Sequence, residues 1–109
     1  MSRIELLKNQ IYIKVNNIGK NIIAINKELF STYKKPVLVG EFGIDSGKSD
    51  ASIDPSGIAI ELHNSLWAAT MSRSFACAMN WWWQEYVKGK NLYSHYGALS
   101  NFVRDVKWD

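Results

Sequence analysis

Three observations predict an α/β fold of roughly three βα units with parallel strands. Val37-Leu38-Val39 and the stretch Phe75 to Trp83 are continuous apolar runs, as expected of strands covered on both faces in a parallel sheet. Stripes of apolar residues at three- and four-residue spacing separate and follow these runs, which is the mark of amphipathic helices. Hydrophobic residues make up 47% of the chain and charged ones 21%, a balance that supports a packed core.

Gln10 to Val15 predicts a first short strand, with Ile11, Ile13 and Val15 alternating. From Asn17 to about Tyr33, Ile18, Ile22, Ile25 and Leu29 recur on one helical face, and Asn17 is placed to cap the start. Pro36 ends this helix and leads into the second strand, which runs to Glu41. The stretch Gly43 to Ile53 is rich in Gly, Ser and Asp and reads as a long loop. Asp54-Pro55 predicts an N-cap with proline at the first helical position, followed by a stripe of Ile58, Leu62, Leu66 and Ala69 to about Met71. Phe75 to Trp83 is the third strand and Gln84 to Lys90 a polar loop. Asn91 is placed to cap a last helix with Leu92, Tyr96, Leu99, Val103 and Val106 on one side.

Charge and composition exclude several functions. Residues 1–36 carry seven Lys/Arg against two acids, whereas residues 37–109 carry six against eight, so the net charge of +3 comes from the N-terminal third. The aromatic residues at 81–83 lie in the acidic part, without the interleaved cations that nucleic acid demands, so no nucleic-acid partner is expected. Two His and one Cys lack ligand spacing, which predicts no metal and no cofactor; His63 and His95 read as ordinary helix residues and Trp67 as a core residue. Cys77 is alone among apolar neighbours and reads as a small core residue. No apolar run reaches membrane-spanning length, so no membrane partner is expected. The start Met1-Ser2-Arg3-Ile4-Glu5 lacks the apolar core of a signal peptide, so the chain is read as cytoplasmic or as beginning elsewhere in a secreted or periplasmic parent.

Trp81-Trp82-Trp83 is the densest chemical signal. Three adjacent indoles are hard to bury together, and in a strand Trp81 and Trp83 share one face, open to a flat apolar ligand such as a sugar ring. Glu41 ends the second strand, and in parallel α/β folds functional residues gather at the C-terminal ends of strands.

The pattern Lys35-Pro36-Val37-Leu38-Val39-Gly40-Glu41-Phe42-Gly43, a loop, Asp54-x-x-Gly57, Leu62-His63-Asn64-x-x-Trp67-Ala68-Ala69 and then Trp81-Trp82-Trp83 resembles the last part of a clan A, cellulase-like glycoside hydrolase. The resemblance covers roughly residues 10–107 and implies a partial TIM (β/α)8 barrel, with residues 1–109 as a single partial domain holding strands six to eight. It implies that Glu41 is the nucleophile of a retaining mechanism and that Trp81 stacks under the sugar, with Asn80 before it, Trp83 as a second platform and Tyr12 as a strand-six contact. It implies an oligo- or polysaccharide as partner, and either the remaining barrel strands or self-association to complete the fold. The chain departs from the family at Tyr12, which lacks the preceding His, at Arg73 and Phe75, where Gly is usual, and at Gln84, where an acid often follows the Trp run. The acid/base of that family lies on a fourth strand that this chain does not supply, so the chain alone is expected to be inactive or nearly so. Two rival readings remain at this stage: a non-catalytic carbohydrate-binding module, in which Glu41 only hydrogen-bonds a hydroxyl, and an inactive remnant.

Overall fold

A computed structural model describes residues 7–10, 17–45, 47–72, 74 and 79–108. Tyr12 and Cys77 lie outside the described residues, as do positions 11–15 of the expected first strand. The elements run in the order β1 (Leu7–Gln10), α1 (Ile18–Tyr33), β2 (Val37–Phe42), α2 (Asp50–Ile53), α3 (Ile60–Met71), β3 (Met79–Asn80), a π-helical segment (Trp83–Lys88) and α4 (Tyr93–Arg104). The fold is therefore α/β, with three parallel strands in the sequential order β1-β2-β3. Among the described residues this sheet does not close on itself, and a TIM barrel is not formed.

Asn17 caps α1 as expected, its side chain accepting from the Lys20 N–H at 3.1 Å. The next free amide, that of Ile18, donates to the Glu61 carboxylate at 2.9 Å, which ties the start of α1 to the first turn of α3. Ile18 and Ile22 are fully buried while Ile25 and Leu29 are half-buried, so the predicted stripe is the packed one. The helix stops when Lys34 enters the left-handed region at φ 53°, its N–H returning to the Phe30 carbonyl at 2.8 Å, two residues before Pro36.

β2 is the middle strand, and its pairing carries one irregularity. Asn9 pairs with Val39 and Gln10 with Glu41, so Gly40 is an extra residue in the ladder, as in a β-bulge. The extra residue shifts the alternation of faces. Val39 and Phe42 both enter the core beneath α1 and α3, whereas Leu38 and Glu41 are only half-buried. Continuous apolar character in β2 thus reflects one face packed on helices and one partly covered.

The other boundaries differ from the sequence reading. The loop after Gly43 contains the short helix α2, capped by Ser49. The next helix starts at Ile60 rather than Pro55, because Asp54 ends α2 and caps α3 from a distance, accepting from the Ile58 and Ala59 amides at 3.2 and 2.8 Å. Ile58, expected in the stripe, is 65% exposed, while Leu62, Leu66 and Ala69 are buried. The last helix starts at Tyr93 with Leu92 rather than Asn91 at its cap position, Asn91 lying one residue earlier with a φ of 52°. The expected polar loop Gln84–Lys90 is largely the π-helical segment, which buries Tyr86 and Val87. Its wide turn ends on Gly89, whose N–H reaches the Gln84 carbonyl at 3.0 Å; a Cβ there would overlap the Glu85 carbonyl oxygen.

Candidate functional site at the strand ends

β2 and β3 bring their C-terminal ends together through two register pairs, Glu41 with Met79 and Phe42 with Asn80. Immediately beyond, the Trp81 N–H donates to the Phe42 carbonyl at 2.8 Å. Glu41 therefore sits one register step from the residue that precedes the Trp run, on the half-covered side of the sheet.

The expected strand does not continue through the tryptophans. β3 ends at Asn80, whose Oδ1 accepts from the Trp82 N–H at 2.9 Å and closes a turn on its own backbone. This overturns the shared face expected for Trp81 and Trp83, since strand alternation no longer applies past residue 80. The half-buried Trp81 lays its six-membered ring against Gly43, and any Cβ at that position would overlap it. Trp82 packs on the core and donates its Nε1–H to the Asp45 carbonyl at 3.3 Å. Trp83 opens the π-helical segment and is 46% exposed.

Asn80 is buried, and its Nδ2 donates to the buried Asp50 carboxylate at 2.8 Å. The other Asp50 oxygen accepts from the Ile44 N–H at 2.9 Å, so a single carboxylate holds β3 and the loop leaving β2. Burial pushes the Asp50 carboxyl above its ordinary pKa, against the pull of the Asn80 and Ile44 donors. Asp54 shows the opposite balance. Burial acts to raise it, but the Tyr86 hydroxyl at 2.6 Å, the Ala59 and Ile58 amides and Ser56 outweigh that and hold it below the usual carboxylate value. Burial first, then the hydrogen bond to Asp54 and the charges of Asp54 and Asp50, push the Tyr86 hydroxyl up. Asp45 accepts from the Gly47 N–H at 2.8 Å within a turn. Asp45 thus serves a turn, Asp54 a helix cap and Tyr86, and Asp50 the tertiary bond to Asn80.

The chain matches no protein family, no curated protein and no solved structure. The site is accordingly characterised by its own geometry. Glu41, Trp81 and Asn80 are brought to one edge of the domain, with Trp83 following at the surface. The sequence reading missed the buried Asp50–Asn80 bond and the Tyr86–Asp54 bond; the signal for the first was a polar residue in an apolar stretch, and for the second an aromatic residue in a polar one. Among the described residues, no three His, Cys, Asp or Glu side chains converge as a metal cluster, and no helix is long and apolar enough to cross a membrane.

Proposed function

We propose that this chain is the nucleophile-bearing C-terminal part of a retaining glycoside hydrolase barrel, acting on an oligo- or polysaccharide. The observation that carries the reading is the position of Glu41 at the end of the central parallel strand, on the face away from α1 and α3, with Trp81 beyond the neighbouring strand end. Sequential strand order with helices packed on one face is the winding that a (β/α)8 barrel repeats, which supports a partial barrel. Glu41 attacks the anomeric carbon, and a second, protonated carboxyl group about 5–5.5 Å away protonates the leaving oxygen. That second group comes from barrel strands outside these residues, because Asp45 is held in a turn, Asp50 by Asn80 and the Ile44 amide, and Asp54 by the cap of α3 and Tyr86.

Trp81 supplies the platform on which the apolar face of a sugar stacks, its ring height fixed by Gly43. Trp83, exposed one residue further from the turn, extends the aromatic surface. Asn80 acts from below, through Trp82 and Asp50, rather than by reaching the sugar. The engagement of every loop aspartate favours one second reading, a carbohydrate-binding function without hydrolysis.

Calorimetric titration with a panel of oligosaccharides tests the site. Binding that weakens on Trp81→Ala and survives Glu41→Gln is expected under both readings. Absence of heat across the panel at millimolar sugar would contradict both.

A further inference from the structure

His63 and His95 are 32 positions apart in sequence, yet α3 and α4 place their Nδ1 atoms 3.5 Å from each other, with ring centroids at 5.6 Å and planes inclined by 71°. His63 is exposed and His95 half-buried, so a small solute reaches the pair from water. The two helices that carry them are fixed by buried Leu62 and Leu66 on one side and Leu92 and Leu99 on the other. Trp67 packs beside His63 at 6.1 Å between centroids, and Phe102 packs edge-on to Trp67 at 5.1 Å, which walls one side of the pair.

Two imidazole nitrogens that share a tetrahedral zinc at 2.0–2.1 Å lie about 3.4 Å apart, close to the separation found here. Neutral imidazole is a good ligand for zinc, copper and nickel; the Nδ1–Nδ1 contact is a hydrogen bond in which one ring donates, and a metal in place of that proton would use the lone pairs of both Nδ1 atoms. We infer that His63 and His95 form a two-histidine site for a divalent transition metal, bridging α3 and α4. Water completes the coordination, since among the described residues no third His, Cys, Asp or Glu joins the pair. A metal bound there staples α4 to α3 and so adds to the stability of the domain.

Zinc chloride titrated into the full chain tests this. One zinc per chain is expected, with a thermal midpoint that rises with zinc concentration, and His63→Ala and His95→Ala should each weaken binding at least about tenfold. Copper(II) bound to the unmodified chain should show hyperfine splitting from two imidazole nitrogens in its electron paramagnetic resonance spectrum, a readout that does not depend on any variant folding. Zinc binding unchanged in either variant, no saturable binding, or a copper spectrum without two nitrogen ligands would overturn the assignment.

Discussion

Asn80 donates to Asp50 at 2.8 Å across 30 positions of sequence, and both side chains are buried. This bond joins the end of β3 to the helix that follows β2, and it fixes the turn from which the tryptophans project. Asn80→Ala removes the donor and leaves a buried carboxylate short of a partner, and it also strips the Trp82 N–H of its acceptor. A loss of about 2–3 kcal/mol in urea unfolding is expected. The deficit should widen as pH rises through the Asp50 titration, because the ionised form is the one that has lost its donor.

Tyr86 and Asp54 contribute to the pH dependence of stability at opposite ends of the range. The Tyr86 pKa is raised by burial and by Asp54, so its contribution is complete below the ordinary value of 10.0 and is lost as pH climbs beyond it. Asp54 is held low, so its contribution is present above the ordinary value of 3.8 and is lost as pH falls through the lowered one. Tyr86→Phe should cost about 1.5–3 kcal/mol at neutral pH, the range of a hydrogen bond to a charged group. The variant should also lose the alkaline fall in stability and part of the acid one, both measured by chemical unfolding across pH.

Gly43 and Trp81 are predicted to be coupled. A Cβ at residue 43 has no room beneath the indole, so Gly43→Ala displaces the ring and should cost about 1–3 kcal/mol. In a Trp81→Ala background the same change should cost little, and a double-mutant cycle in unfolding free energy checks this. Sugar affinity should fall in Gly43→Ala even though no sugar-contacting group is deleted.

The helical stripes of α1 and α3 and the apolar β2 were legible in the sequence because burial imposes a period on them, and Ile18, Ile22, Leu62 and Leu66 are core residues as read. The fate of Trp81-Trp82-Trp83 was not. An apolar run signals burial but not backbone shape, and it was the Asn80 side chain, bonding two residues ahead, that ended the strand. Asp54-Pro55 carried a true capping signal, yet the cap serves amides four and five residues on, so the helix boundary was misplaced. The extra residue at Gly40, which decides the face of Glu41, is marked in the sequence only by a glycine inside an apolar run, and its place in the ladder is set by pairing with β1. His63 and His95 looked ordinary for the same reason, since only the packing of α3 on α4 brings them together.

The central claim is that Glu41 is a glycosyl-accepting nucleophile, and it can be tested without the missing acid/base. A 2-deoxy-2-fluoro glycosyl fluoride carries a leaving group that departs as fluoride without protonation, so attack by a carboxylate forms the C1–O bond as the C–F bond breaks and leaves a slowly hydrolysed ester. Intact-mass measurement after incubation with gluco-, galacto-, manno- and xylo-configured fluorides should show a single added glycosyl group, mapped to Glu41 by peptide fragmentation and abolished by Glu41→Gln. No labelling with any of the four sugars, or labelling that persists in Glu41→Gln, would contradict the account.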